Sequence, residues 1–160
     1  MDRSFILTFV YFLIINFSAL ALGSILMGDG ARGEWYLSLE LAPWTPPGWV
    51  FGFAWFTVMT LFSYFMASLK TEGIFKWKVY NTLFILFSIQ WILNVGWNLF
   101  FFRMELAVPA LLIMVLLFIS LFSIMFYSAS LSKLKLFFIL PYIIWLFIAL
   151  SLNAYVVIKN

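Results

Sequence analysis

The sequence lacks cysteine and histidine altogether, and only 9% of its 160 residues are charged. Without cysteine the chain has no disulfides and no thiolate nucleophile. Without histidine it has no imidazole to bind haem iron or zinc and no histidine acid/base catalyst. We therefore predict no metal site and no required cofactor. The scarcity of charge also excludes a soluble globular domain, in which about a quarter of the residues are charged.

Apolar residues make up 66% of the chain, and the mean hydropathy is +1.12. Five apolar segments are each long enough to cross the ~30 Å hydrocarbon core of a bilayer as a helix. The predicted spans are about residues 5–27, 46–68, 78–102, 106–128 and 136–158. These segments predict an all-α fold, an integral membrane bundle of five transmembrane helices forming a single domain over residues 1–160.

The basic residues are distributed unevenly between the two ends of the predicted bundle. Five spans place the N-terminus, the second loop and the fourth loop on one face, which carries six cations: Arg3, Lys70, Lys76, Lys78, Lys133 and Lys135. The opposite face carries Arg32, Arg103 and Lys159. By the positive-inside rule, the N-terminus is predicted to be cytoplasmic. This orienting role explains the lysines, so no nucleic-acid partner is expected.

The stretch from Ala42 to Trp55, APWTPPGWVFGFAW, marks the start of the second span. Pro46 and Pro47 suit the first turn of a helix, where the missing amide hydrogens need no partner. Before it lies a polar first loop, residues 28–45, and loops of that length are often lids. Trp35 and Tyr36, followed by leucines, predict a short amphipathic piece across the bundle mouth, with an interfacial anchor as the alternative.

The polar side chains within the spans are amides and hydroxyls, and no Asp, Glu, Lys or Arg lies in the middle of a span. Ion-coupled transport is therefore disfavoured. Three spans each carry, at helical spacing, a stripe that includes a tryptophan. These stripes are Phe51, Trp55 and Val58 in the second span, Trp91, Asn94 and Asn98 in the third, and Trp145, Ala149, Asn153 and Val156 in the fifth.

An amide that faces lipid costs a few kcal/mol, so the three stripes are expected to face inward. One interpretation is that the asparagines only hold helices together, at about 1 kcal/mol each. The other is a cavity with apolar walls, hydrogen-bonding groups and indoles that stack on a planar ligand, with Ala149 leaving room for it. Both interpretations stay open at this point.

Three ordered motifs resemble one family. They are W-Y-x-x-L followed by P-W-T-P-P-G-W-x-F and Trp55; L-N-x-x-W at Leu93 to Trp97 with Phe100 and Phe101 after it; and P-Y-x-x-W-L-x-x-A-x-x-L-N-x-Y at Pro141 to Tyr155. Together they resemble the tryptophan-rich sensory protein, or translocator protein (TspO/MBR), family, once called peripheral-type benzodiazepine receptors. The resemblance covers nearly the whole chain.

The resemblance implies a five-helix bundle, usually a homodimer, with a pocket beneath the first loop that binds porphyrins such as protoporphyrin IX. It also implies a multi-pass protein of a prokaryotic cell membrane, and in related members cholesterol is a ligand. Trp55 and Trp145 match two tryptophans linked to light-dependent porphyrin breakdown. The ligand-binding residues expected are Arg32, Trp35, Trp44, Phe51, Trp55, Asn94, Trp97, Asn98, Trp145, Ala149 and Asn153. Leu152, Tyr155 and Lys159 satisfy a weak sterol pattern.

The function expected is a membrane receptor for porphyrins or other planar apolar molecules, which promotes their light-dependent degradation or acts in tetrapyrrole or stress regulation. Arg32 is expected to meet the porphyrin carboxylates bidentately. Two alternatives stay open. One is a transporter or carrier of porphyrin, lipid or sterol, and the other is a scaffold whose partner binding depends on the ligand.

Overall fold

The computed structural model describes residues 3–71, 77–129 and 133–160. The centre of the predicted basic second loop, residues 72–76, lies outside the described residues, as do residues 130–132 of the predicted fourth loop. Within the described residues, five helices are long and apolar enough to cross a membrane. The predicted fold class, an all-α bundle of five transmembrane helices, is therefore confirmed.

The five long helices alternate with shorter helical pieces in the connections between them. Their bounds are α1 (Arg3–Leu26), a 3₁₀ turn (Gly30–Arg32), α2 (Glu34–Ser38), α3 (Gly48–Thr71), α4 (Trp77–Asn98), a π-helical turn (Leu99–Arg103), α5 (Ala107–Ala129), a second 3₁₀ turn (Lys133–Phe138) and α6 (Leu140–Lys159).

Two helix starts differ from the sequence prediction. The third span, predicted to run to residue 102, extends to Arg103, and its last turn from Leu99 is π-helical. The fifth was predicted to begin at residue 136, yet α6 begins at Leu140 because the preceding residues form a 3₁₀ turn. The second begins at Gly48, so Pro46 and Pro47 precede the helix instead of occupying its first turn.

The five long helices form a closed ring. Helix α1 packs against α3 and α4, α5 packs against α4 and α6, and α6 returns to α3. Gly23 of α1 allows a close approach to α4, because a Cβ atom there would lie 2.8 Å from the Asn98 amide nitrogen. The ring therefore encloses a single interior that all five spans share.

Large side chains fill this interior in the half of the bundle nearest the N-terminus. Phe62, Leu69, Leu117, Leu121 and Tyr142 are fully buried there and belong to the main hydrophobic core. The half nearest the first loop holds a smaller cluster around Phe101, Ala110 and Val156. A cavity lies beside this cluster, under the first loop.

Candidate ligand-binding site

The first loop leaves α1 through two glycines and then folds back over the bundle. Gly28 and Gly30 have φ angles of +60° and +55°, a left-handed conformation that other residues adopt only with strain. The short helix α2 follows, and its aromatic rings pack on the π-helical turn. Trp35 meets Phe101 at 5.3 Å between ring centroids, and Tyr36 meets Phe102 at 5.5 Å. The amphipathic piece predicted at Trp35 and Tyr36 therefore lies across the bundle mouth.

The end of this loop is fastened to α6 by four residues, which we call the loop latch: Glu40, Tyr155, Lys159 and Asn160. The Tyr155 hydroxyl donates a hydrogen bond of 2.9 Å to the Glu40 carboxylate, and the Lys159 ammonium lies 4.0 Å from the same oxygen. The Glu40 backbone amide donates to the Asn160 side chain at 3.0 Å. These contacts lie at the surface, so the latch is weak enough to open.

We expect the Glu40→Ala variant to open the loop more often, because Tyr155 and Lys159 both lose their partner. Amide hydrogen exchange of residues 34–45, followed by mass spectrometry, should be several-fold faster than in the unmodified protein. Asp29→Ala is the matched control, since it removes one carboxylate from the same loop and makes no side-chain capping bond. Equal acceleration by both variants would contradict the latch.

Beneath the loop lies the inner cavity, with a volume of about 60 Å³. The loop forms one wall, and α3, α5, α6 and the end of α4 with its π-helical turn form the others. The cavity is lined by Tyr36, Leu41, Ala42, Thr45, Phe51, Trp97, Phe101, Phe102, Met114, Ala149, Leu152, Asn153 and Val156. This volume is well below the 300–1,000 Å³ of typical ligand pockets, so the cavity is too small for a drug-sized ligand in this conformation.

Two polar atoms on the cavity residues have no hydrogen-bond partner among the described residues. They are the indole N–H of Trp97 and the side-chain oxygen of Asn153. The Asn153 amide nitrogen is occupied, because it donates to the Met114 sulfur at 3.3 Å. An unpaired buried donor or acceptor costs roughly 1–3 kcal/mol. A ligand that accepts from Trp97 and donates to Asn153 would recover this cost.

A polar depression of about 570 Å³, the outer depression, opens on the far side of the loop. Arg32 and Arg103 line it together with three carboxylates, Asp29, Glu34 and Glu105. Tyr36 and Phe102 line both this depression and the inner cavity, so this ring pair separates the two. A molecule that spans both sites therefore has an apolar body and a polar edge.

The two tryptophans predicted to flank the ligand stand in direct contact instead. The Trp55 and Trp145 rings meet edge to face, with centroids 6.5 Å apart and planes at 84°. Trp145 is only 7% exposed, and neither indole lines the inner cavity. The predicted geometry, with a macrocycle between the two rings, is therefore wrong for this conformation. Trp145 still touches Phe51, a cavity residue, at 5.4 Å.

Two predicted amides are also used within the bundle. The Asn94 amide donates to the Tyr142 hydroxyl, and Gln90 donates to the same oxygen at 2.9 Å. The Asn98 side chain donates to the Asn94 carbonyl at 3.1 Å. The prediction that these asparagines face a shared hollow is therefore wrong for this conformation. They hold helices and backbone together, which is the alternative the sequence left open.

The remaining predicted residues are divided between two regions. Phe51, Trp97, Ala149, Leu152 and Asn153 line the inner cavity, whereas Arg32 and Trp35 line the outer depression. The others bind the loop to α6. Trp44 donates to the Ser151 hydroxyl at 3.1 Å, and two residues of the weak sterol pattern, Tyr155 and Lys159, meet Glu40.

Sequence reasoning missed the lining residues that lie outside the helical stripes. Phe101 and Phe102 enter the site because the π-helical turn redirects them, and no simple spacing rule predicts that turn. Thr45 and Leu41 come from the extended end of the loop. Glu40 could have been singled out from the sequence, since it is the last carboxylate before a long apolar stretch.

Comparison with known proteins gives a consistent result. The family model described as "TspO/MBR family" matches residues 9–158. The chain is 31% identical over 122 residues to Protein CrtK from Rhodobacter capsulatus, covering 76% of this chain and 75% of that protein. It is 33% identical over 121 residues to the tryptophan-rich protein TspO from Chlorobaculum tepidum, covering 75% and 76%.

A third relative is the tryptophan-rich sensory protein from Cereibacter sphaeroides, which is 28% identical over 131 residues, 82% of this chain and 77% of that protein. The family model covers nearly the whole chain, from the first span to the end of the fifth. With five helices able to span a membrane, the protein is a multi-pass integral membrane protein. The chain belongs to the TspO/MBR family.

Proposed function

We propose that the protein is a sensory membrane receptor for a molecule of the porphyrin class. Such a molecule is planar and apolar and has acidic groups at its edge. The observation that carries this proposal is the inner cavity under the loop, where an indole N–H and an amide oxygen lack partners among the described residues. The relative from Cereibacter sphaeroides bears the word sensory in its name, which supports a sensory role.

The volume of the inner cavity implies that binding is coupled to movement of the loop. A cavity of about 60 Å³ does not hold a drug-sized ligand, so the loop and the Tyr36 and Phe102 rings must move to admit one. The loop latch is weak enough to allow this movement of the loop, since its contacts lie at the surface. Such a movement gives a receptor two states, one closed and one open with ligand, which is what a sensor needs.

The outer depression supports a ligand with carboxylates. Arg32 lies in this depression, beyond the ring pair that separates it from the inner cavity. A guanidinium binds a carboxylate through two parallel hydrogen bonds. A porphyrin with its macrocycle under the loop and its propionates toward Arg32 satisfies both regions.

The test is a titration of the purified protein with protoporphyrin IX, read by quenching of tryptophan fluorescence. We expect saturable quenching at micromolar ligand, and its absence would overturn the proposal. Titration with the dimethyl ester separates the two halves of the site, because the ester keeps the macrocycle and loses the carboxylates.

The Arg32→Gln variant should weaken binding of the free acid by about tenfold and leave binding of the ester unchanged, since only the acid forms a charge-assisted pair. Arg3→Gln is the matched control, because it removes one cation from the opposite face of the bundle. An equal loss for acid and ester in Arg32→Gln would show that the side chain does not meet the carboxylates.

A light-driven reaction of the bound ligand is supported by the position of the indole pair behind Phe51. In this proposal one electron passes from the indoles to the light-excited ligand and returns once dioxygen has added across a carbon–carbon bond of the ring and opened it to two carbonyl groups. Light and dioxygen are then the only inputs, and the protein contributes position and the electron relay.

We expect the Trp145→Phe and Trp55→Phe variants to keep protoporphyrin affinity within about twofold, because neither indole lines the inner cavity. The light-driven loss of the Soret band should be slower in both. Trp49→Phe is the control, since Trp49 is 73% exposed and stands on the outer surface of α3. An unchanged bleaching rate in all three variants would remove the indole pair from the reaction.

Transport of the ligand is the second candidate function. The buried polar side chains of the described residues are amides and hydroxyls, with no buried carboxylate, lysine or arginine among them. This favours passive carriage over ion-coupled transport. Flux of porphyrin into the lumen of reconstituted vesicles would support a carrier, and saturable binding without flux supports a receptor.

A further inference from the structure

A second hollow, the lateral groove, lies on the opposite half of the bundle from the first loop. Its volume is about 400 Å³, which is within the range of ligand pockets, whereas the inner cavity is much smaller. Helices α1 and α4 form its sides, and Met66 of α3 forms part of its floor. The groove opens outward, since Tyr11 and Ile92 on its rims are 52% and 62% exposed.

The walls of the groove are apolar and aromatic along its length. Phe12 and Phe87 are buried and meet edge to face at 5.4 Å, so they form a continuous wall between α1 and α4. The lining of α4 extends from Leu83 to Ile92, about 14 Å along the helix. At the end nearest the first loop, the Trp91 indole donates to the Ile15 carbonyl at 2.9 Å and joins the two helices.

The other end of the groove carries a positive charge. Lys70, in the last turn of α3, lines the groove and is exposed. Its ammonium lies 5.7 Å from the centre of the Tyr11 ring, at a distance where a cation is attracted to the ring face. The sequence predicts six basic residues on the same face of the bundle and two acidic ones, Asp2 and Glu72.

We infer that the lateral groove binds an anionic phospholipid, with one acyl chain along the aromatic wall and the phosphate at Lys70. An apolar channel that faces the bilayer and ends in a cation complements a molecule with an apolar tail and an anionic head. Because the groove and the inner cavity have no lining residue in common, this site is independent of the proposed porphyrin site.

The experiment uses the full chain reconstituted in phosphatidylcholine bilayers with a small fraction of phosphatidylglycerol. Either lipid carries bromine on its acyl chains, and bromine quenches the fluorescence of a nearby indole. We expect brominated phosphatidylglycerol to quench more strongly than brominated phosphatidylcholine at the same mole fraction. The Trp91→Phe variant should lose this difference, because Trp91 is the indole in the groove.

The Lys70→Gln variant should reduce the preference for phosphatidylglycerol roughly fivefold, since one cation near the headgroups is lost. Lys70→Arg should retain the preference, which shows that the fold tolerates substitution at this position. Arg3→Gln is the matched control, because it removes a cation from the same face outside the groove. An equal reduction by Lys70→Gln and Arg3→Gln would overturn the site in favour of general surface charge.

Two further variants test the groove itself. Ser88 lines it, and its hydroxyl is bonded to the Phe84 carbonyl of its own helix. Ser88→Phe should fill the groove and abolish the extra quenching without changing any charge. Ser88→Cys introduces the single thiol of an otherwise cysteine-free chain. Disulfide crosslinking of two copies through this thiol would overturn the proposal, because a second copy would then occupy the groove.

Discussion

The Ala149→Phe variant is expected to bind protoporphyrin about tenfold or more weakly than the unmodified protein. Ala149 lies on the wall of the inner cavity with Phe51 and Asn153, and a benzyl group in place of its methyl group fills the small space that exists there. A ligand then needs a still larger displacement of the loop, and well-packed interiors resist added volume at about 1–3 kcal/mol. Affinity measured by fluorescence titration should fall by about tenfold or more.

The matched control is Ile144→Phe, which adds a ring to the same helix at a position that is 60% exposed on the outer surface. This variant should bind protoporphyrin with unchanged affinity. Thermal unfolding of both variants separates loss of the site from loss of the fold. If a folded Ala149→Phe protein binds as tightly as the unmodified protein, the ligand lies outside the inner cavity.

The five-helix bundle could be predicted from the sequence because each span can be recognised from its own residues. A run of about 20 apolar residues predicts a helix regardless of its neighbours, since no other single segment satisfies its backbone within a bilayer. The same logic fails at helix ends. Whether Leu136 belongs to a helix or to a 3₁₀ turn depends on local packing against α3 and α5, which hydropathy does not report.

The site was predictable only in part, for a different reason. Helical spacing correctly places Ala149 and Asn153 on one inward face, but it does not say which inward residues meet a cavity and which meet each other. Trp145 and Trp55 share the inward direction and pack together. Asn94 also faces inward, and its amide donates a hydrogen bond to the Tyr142 hydroxyl. Whether an inward-facing side chain lines the cavity or contacts another side chain depends on the relative positions of three helices.

Two residues of the loop latch can be interpreted either as part of a sterol site or as contacts that hold the first loop. Tyr155 and Lys159 satisfy a sterol pattern by their spacing alone, yet in the structure both meet Glu40 of the first loop. A sterol at this surface would compete with the loop for them. The pattern is therefore a weaker guide to ligand binding in this protein than the cavity beneath it.

The Tyr142→Phe variant is expected to destabilise the bundle strongly. The Tyr142 hydroxyl is fully buried and accepts hydrogen bonds from Gln90 and Asn94, so its removal leaves two amide groups of α4 without an acceptor. Each unpaired buried donor costs roughly 1–3 kcal/mol, so two of them cost about 2–6 kcal/mol. A loss of this size lowers the unfolding temperature by several degrees or more.

Two controls locate the effect in the hydrogen bonds. Tyr11→Phe also removes a phenolic hydroxyl, but from a ring that is half exposed, so it should change the unfolding temperature little. Adding Gln90→Leu to Tyr142→Phe removes one unpaired donor. The double variant should recover part of the lost stability, because replacing both hydrogen-bond partners by apolar groups costs less than leaving one partner buried and unpaired. If the double variant is less stable than Tyr142→Phe alone, the unpaired Gln90 amide is not the source of the lost stability.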